Sequence, residues 1–368
     1  MKLGIFCNFG PPHVGGTEVV LENISMRLIS QYGHDITIYG HNYSSNFKHK
    51  GINIKPCFKG DRLIYQINDN DHVFVYSDSF WGWDTIVENI EKVIPDVSVA
   101  LVGAYHMGEH NNATGKKFMD NLDRFRVIVH SKGIDYKWCV NNCIPCKIIP
   151  NGVDIYEFNS NKIDFREKYD IKSQYMLLNV SNYFYGKGQE SLAPISKELN
   201  KKSIDHSMVS ISNTIDYPYG RSFLSRTKTS FKNRGSGLFL QDLPREDVVA
   251  AFKCADAFVF TSRKEIAPLV IIESRAAGLP WVSFDVGNVS DNGGGFIIPK
   301  RNSFNKGFII VDDVDIYNFT EKISCILKGN RNYSGVSIRD DLKKKGKRGL
   351  DILEWNNIVP EYEKVFKS

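Results

Sequence analysis

The chain has 368 residues, too many for one ordinary hydrophobic core, so two domains of about 170 to 190 residues each are expected. Its 42% hydrophobic and 24% charged residues exclude a disordered chain, and a net charge of +5 suits an anionic ligand or a membrane surface but is too small to argue for nucleic acid. No window approaches the roughly 20 apolar residues that span a bilayer, and the first apolar run is broken by Asn8-Phe9-Gly10 before it reaches signal-peptide length, so we expect a cytoplasmic protein.

Short apolar runs alternate with helical patterns from the start. The first half reads as strands at Lys2–Cys7, Asp35–Tyr39, His72–Tyr76, Val97–Val102, Arg126–His130 and Lys147–Ile149. Helical stretches at Gly16–Gln31, Trp83–Val93, Lys116–Leu122 and Ile134–Val140 fall between them. Runs such as Val73-Phe74-Val75-Tyr76 lack polar alternation, which suits parallel strands covered on both faces. The polar segment Asn151–Ser173 reads as an irregular linker.

The second half repeats the alternation, with strands at Tyr175–Val180, His206–Ile211, Gly237–Leu240, Ala257–Thr261 and Pro280–Phe284. Helices fill Gln189–Asn200, Arg245–Cys254, Pro268–Ala277 and Ile316–Leu327, and Gly278 reads as a helix stop. Lys343–Arg348 is a basic run, read either as a solvated helix face or as a patch for anionic lipid, which leaves a peripheral membrane contact open. A last helix, Ile352–Phe366, carries a wide apolar stripe through Trp355, Ile358, Val359, Tyr362 and Phe366. Two α/β domains with doubly wound sheets follow, at 1–155 and 172–350.

The odd count of seven cysteines argues for reduced thiols. Cys139, Cys143 and Cys146 share a spacing used by iron–sulfur sites, but without the structural context of such a site they read as loop thiols.

The densest chemistry lies in Glu265-Ile266-Ala267-Pro268-Leu269-Val270-Ile271-Ile272-Glu273, after a strand and at the start of a helix. Pro268 suits a first helical turn, where its missing N–H costs nothing. The free N–H groups of Leu269 and Val270 would then face an anion or a sugar oxygen. Glu273 lies about one and a half turns into the helix, and a carboxylate there can accept from two vicinal hydroxyls, such as those of a ribose.

This run resembles the E-x7-E signature of glycosyltransferase family 4. The resemblance extends over nearly the whole chain: Gly15-Gly16-Thr17-Glu18 is similar to the family's N-terminal glycine loop, Ile149-Pro150-Asn151-Gly152-Val153-Asp154 to the close of its first domain, and Gly186-Lys187-Gly188 to its K-G turn. It implies a GT-B fold: two Rossmann-like domains facing across a cleft, with Trp355–Phe366 similar to the family's returning C-terminal helix, so that about 352–368 joins the N-terminal domain. It also implies a transferase that retains anomeric configuration, needs no metal and no cofactor, and moves a sugar from a UDP- or GDP-sugar to a hydroxyl of a glycan, lipid or other acceptor. Glu273 would take the ribose, and Glu265 with Ala267, Pro268, Leu269 and Val270 the donor sugar. Lys187 would take the diphosphate, with Gly15 and Gly16 beside the phosphates and Leu243 and Asn182 among the donor contacts. His106 stands where the family often carries a histidine near the reacting carbon, read either as catalytic or as a structural histidine.

The chain departs from the family pattern at Asn182, where an arginine is usual, and at Ile266, where glycine is usual. The first removes a charge from the diphosphate site, and Arg221, Arg226, Lys228, Lys232, Arg234 and Arg263 are candidate replacements. The departures motivate an alternative reading, a weakened relative that binds sugar nucleotides or glycans without turnover. A nicotinamide oxidoreductase is disfavoured, because Gly10, Gly15 and Gly16 do not form the G-x-G-x-x-G fingerprint. Phe80-Trp81-Gly82-Trp83 offers aromatic surface for an acceptor, or core packing.

Overall fold

The computed structural model describes residues 1–12, 15–77, 79–103, 112–213, 218–231, 236–299, 301, 303–304, 308–309 and 311–368. The chain divides into unit 1, Met1–Gly152 with Leu353–Ser368, and unit 2, Val153–Ile352.

In unit 1 the apolar runs become β1 (Lys2–Cys7), β2 (Asp35–Gly40), β3 (Phe47–His49), β4 (Ile52–Pro56), β5 (His72–Tyr76), β6 (Asp96–Leu101), β7 (Phe125–Val129) and β8 (Cys146–Ile148). Among the described residues they form one sheet in the order β3-β4-β2-β1-β5-β6-β7-β8, parallel throughout except for β3. Helices α1 (Gly16–Tyr32), α2 (Asp61–Asn68), α3 (Trp83–Glu88), α4 (Asn112–Asp120) and α5 (Ile134–Asn141) make the crossovers. Leu3, Ile5, Phe6 and Cys7 of β1 are fully buried, as a central parallel strand requires. The chain winds outward from β1 to β2 and β4, then returns to β5, so the switch in winding lies between β1 and β5.

The β3–β4 hairpin and α2 are absent from the expected element list. β4 is short and alternates buried with half-buried residues, and α2 places only Leu63, Ile64 and Ile67 in the core. The helix expected over Trp83–Val93 ends at Glu88, where the Asn89 side chain bonds the Thr85 carbonyl and a 3-10 turn follows.

Unit 2 holds α6 (Ile155–Ser160), α7 (Phe165–Lys168), β9 (Tyr175–Val180), α8 (Leu192–Lys201), β10 (His206–Ser212), α9 (Pro218–Phe231), β11 (Ser236–Gln241), α10 (Arg245–Cys254), β12 (Ala257–Phe260), α11 (Leu269–Ala276), β13 (Trp281–Phe284), β14 (Gly295–Ile298), α12 (Asp313–Leu327) and α13 (Ile338–Lys347). Strands β9 to β14 form a parallel sheet in the order β11-β10-β9-β12-β13-β14, with the switch between β9 and β12, and Ser303–Phe304 pairs separately and antiparallel with Phe308–Ile309. The segment expected to be an irregular linker is instead folded into this unit. Asp154 and Asp164 cap α6 and α7 through the backbone N–H groups of Glu157 and Glu167, and Phe158 and Phe165 are buried. Two of its aspartates are helix caps rather than loop residues.

Gly278 lies past the end of α11 with φ +66°, and its N–H donates to the Arg275 carbonyl at 3.0 Å, the helix stop expected of it. The final helix, α14 (Trp355–Phe366), belongs to unit 1. Tyr362 and Phe366 pack on Phe74, and Glu363 meets buried His34 at 2.6 Å. Ile352 and Leu353, expected inside this helix, form a 3-10 turn ahead of it, and Ile352 is exposed. Among the described residues no helix is long and apolar enough to cross a membrane.

Gly152 explains part of the Ile149–Asp154 motif. A Cβ there would come within 2.5 Å of the buried Trp355 indole, so only glycine lets the strand exit lie against α14. Gly152→Ala should cost about 1–3 kcal/mol in urea unfolding. The cost should shrink in a Trp355→Leu background; an equal cost in both backgrounds contradicts this contact.

Candidate functional site

The loops that leave β9 and β12, at the winding switch of unit 2, are stitched together by the backbone. The Arg263 N–H donates to the Gly186 carbonyl at 2.7 Å, and the Thr261 hydroxyl donates to the Lys187 carbonyl at 3.1 Å. Gly188 has φ +66°, and a Cβ there would lie 2.2 Å from the Thr261 carbonyl oxygen. Glycine is therefore required both for its backbone angle and for the close approach. This stitching brings Lys187, which ends a 3-10 turn, to Glu265: Nζ lies 2.7 Å from Oε1, which also accepts from the Ser262 hydroxyl. The Lys187 and Glu265 side chains are 30% and 12% exposed, so the pair is partly shielded yet reachable by a ligand.

The segment from Glu265 to Glu273 then turns into α11. Pro268 is the N-cap (φ −68°, ψ 117°) and not part of the first turn, as the sequence had suggested. Its extended ψ leaves its carbonyl to accept the first helical bond, from Ile271, and the helix begins at Leu269 with no side-chain cap. Gly287, at φ +57°, lets the Glu265–Ile266 backbone pack close, for a Cβ on it would meet the Ile266 carbonyl oxygen at 2.5 Å. Ala267, Leu269 and Val270 are half-buried around this turn, and Leu243 is half-buried in the loop before α10.

Glu273 is buried and meets the Arg245 guanidinium at 2.6 Å. Arg245 also grips Glu157 of α6 through two bonds, Nε to Oε1 at 2.9 Å and Nη2 to Oε2 at 2.8 Å. Burial alone would push the Arg245 pKa down, but the two carboxylates outweigh it and hold the pKa above its usual value, so the charge is permanent. Sequence reasoning passed over Arg245 and Glu157. The one signal was a cation at the first position of a helix, where it opposes the helix dipole and needs a carboxylate partner.

At the departure site, the Asn182 side-chain oxygen accepts from the backbone N–H and the amide of Asn213, each at 3.4 Å, and its carbonyl accepts from Gln189 at 2.8 Å. Of the candidate replacement cations, Arg263 is buried and bonded to Glu190. Arg221, Arg226 and Lys228 are exposed on α9, and Lys232 and Arg234 lie outside the described residues.

In unit 1, Gly15 caps α1, and the Glu18 carboxylate lies where a Gly15 side chain would be, 2.3 Å from the would-be Cβ. Burial lifts the Glu18 carboxyl to about 7, so it titrates near neutral pH and its charge beside Gly15 and Gly16 is reduced. His106 lies outside the described residues. Of the aromatic run, Phe80 and Trp83 are core, whereas Trp81 is 64% exposed, stacked with His41 at 5.1 Å and edge-on to Phe9 at 6.4 Å. Cys139 is buried, Cys146 half-buried and Cys143 exposed. Among the described residues no three His, Cys, Asp or Glu side chains are grouped to hold a metal.

Arg245→Gln would leave Glu157 and Glu273 as neighbouring carboxylates without a cation. We expect a loss of about 1–3 kcal/mol in urea unfolding, between the limits for exposed and buried pairs. Glu157→Gln should cost less, because Glu273 keeps its partner. Equal losses would show that the Glu273 arm carries no weight.

The family model described as "Glycosyl transferases group 1" matches residues 161–348. No curated protein matches the chain. Among solved structures, sucrose-phosphate synthase of Thermosynechococcus elongatus is similar at TM-score 0.72 and 13% identity, covering 100% of this chain and 98% of that one. Anabaena HepE with UDP-glucose is similar at 0.72 and 14%, covering 100% and 99%. The Burkholderia xenovorans trehalose-phosphate synthase with glucose-6-phosphate is similar at 0.71 and 11%, covering 100% of both. At these identities the structures establish the fold, GT-B with two parallel-sheet domains, and the family model goes further: the chain belongs to the group 1 glycosyl transferases and is a transferase enzyme.

Proposed function

We propose that the chain is a retaining, metal-independent glycosyltransferase of family 4 that uses a nucleotide-diphosphate sugar, with UDP-glucose as the first donor to test. The observation that carries the reading is the Lys187–Glu265 pair at the β9–β12 switch, next to the uncapped start of α11. In open α/β sheets this is where ligands bind, at the carboxyl ends of the strands. HepE was solved with UDP-glucose, and the trehalose-phosphate synthase with glucose-6-phosphate, which supports a nucleotide-sugar donor and a sugar acceptor.

In this reading the diphosphate takes Lys187 from Glu265. The freed carboxylate, with Ala267, Pro268, Leu269 and Val270, turns to the hydroxyls of the donor sugar. Glu273, paired with Arg245, accepts from the ribose hydroxyls. Gly15 and Gly16 serve the phosphates, with the raised carboxyl of Glu18 beside them, and Leu243 and Asn182 complete the donor contacts. As the bond from the anomeric carbon to the diphosphate breaks, its electron pair stays on the phosphate oxygen. Lys187 and the α11 N–H groups stabilise that charge. The acceptor hydroxyl attacks on the same face and passes its proton to the departing phosphate oxygen, with no glycosyl-enzyme intermediate. His106 would assist near the reacting carbon, and exposed Trp81 would offer its ring to the acceptor. The work is cytoplasmic, and the exposed lysines of α13 leave room for peripheral contact with anionic lipid.

Asn182 supports the second reading, a binder without turnover, because the site lacks a cation there. A thermal-shift screen of nucleotide sugars, paired with donor-hydrolysis and transfer assays in EDTA, separates the two. We expect one donor to raise the melting temperature. Lys187→Ala and Glu273→Ala should each cut that donor's affinity about ten-fold or more. Full stabilisation in both variants would overturn the site, and binding without turnover would select the second reading.

A further inference from the structure

A second feature of unit 1 has no part in the reading above. α2 sends Leu63, Ile64 and Ile67 into the core, and its opposite stripe, Arg62, Tyr65 and Gln66 with Asp69 just past its end, would be expected to face open water. Instead that stripe forms one wall of a groove of about 490 Å³, whose other wall is Tyr39, Asn46, Lys55, Pro56 and Phe58. Tyr39 and Lys55 are cross-strand neighbours on β2 and β4 and so share one face of the sheet. Gln66 braces the groove: its amide donates to the Pro56 carbonyl at 2.9 Å and its oxygen accepts from the Phe58 N–H at 2.7 Å. The volume falls in the range of small-molecule sites.

The charges in the groove are unbalanced. Asp69 already pairs with Lys2 at 2.7 Å. Lys55 leans over the Tyr39 ring at 6.0 Å, and neither Lys55 nor Arg62 has a carboxylate partner among the described residues. Beside these cations stand two exposed rings, Phe58 at 46% and Tyr65 at 77%. Inorganic phosphate would match the cations and leave the rings unused. A neutral sugar would match the rings and leave the cations unmatched. A sugar bearing a phosphate uses both: ammonium and guanidinium for the ester, aromatic faces for the ring's C–H surface, and the Asn46 amide for hydroxyls.

We propose that this groove of unit 1 binds a free phosphorylated sugar, with Lys55 and Arg62 holding the phosphate and Tyr65 and Phe58 the ring. The site is built from unit 1 alone, shares no residue with the donor reading and does not require that reading to be right.

The test is titration calorimetry and thermal shift of the full chain with glucose-6-phosphate, glucose and inorganic phosphate. It compares the wild type with the Lys55→Gln/Arg62→Gln double variant and with Tyr65→Ala. All three substituted side chains lie outside the core, so folding should survive, and the ligand-free melting temperature checks it. Glucose-6-phosphate should bind about ten-fold more tightly than either glucose or phosphate, and the double variant should lose about ten-fold or more of that affinity. Tyr65→Ala should lose a smaller factor. Equal affinity in wild type and double variant, binding no tighter than that of inorganic phosphate, or no binding at all would overturn the proposal. So would Lys55- and Arg62-dependent binding to phosphatidylglycerol vesicles alone, since that would make the groove a lipid site. UDP-glucose run in the same screen reads the donor site separately. Its stabilisation should persist in the double variant, so the failure of either reading is visible without the other.

Discussion

The bond between Lys187 and Glu265 is the interaction on which the rest of unit 2 converges. It spans the two loops at the point where the sheet reverses its winding, and it exists because β9 and β12 are neighbours although far apart in sequence. Backbone bonds from Arg263 and Thr261, and a glycine at 188 with no room for a side chain, hold the loops close enough for it to form. A lysine and a glutamate held this way neutralise each other until a ligand offers each a better partner. An anionic diphosphate and a hydroxyl-rich sugar would do so together, which makes the pair a poised rather than a finished site.

Arg245 plays the complementary part for Glu273. A carboxylate this deeply buried gives up its water and needs a charged or hydrogen-bonding partner in exchange. The guanidinium beside it is that partner. The same guanidinium ties the α11 carboxylate to Glu157, so α11 is anchored to the first helix of its unit. Unit 1 shows the reverse solution at Glu18, where burial without a cation favours the proton and limits negative charge beside the glycine loop.

The parallel strands were legible in the sequence because a strand buried on both faces is a continuous apolar run. β1, β5 and β9 have the bounds expected of them. What was not legible was amphipathic or capped. β4 is half-buried, α2 contributes only three core side chains, and α6 and α7 lie in a segment whose aspartates resemble a loop but cap helices. Within the site, Lys187, Glu265 and Glu273 stood out from motif spacing. Their partners did not: Arg245 and Ser262 matter through contacts made only once the sheet has formed, and no local pattern announces such contacts. Pro268 shows the limit of local rules. It is suited to a first turn or to an N-cap, and only the backbone angle decides between them.

The most direct test of the central claim is a crystal structure of the protein with UDP. The account predicts the diphosphate against the Lys187 ammonium and the first N–H groups of α11, the ribose hydroxyls on Glu273, and Glu265 released from Lys187. A nucleotide seated elsewhere, with the Lys187–Glu265 bond unbroken, would contradict it.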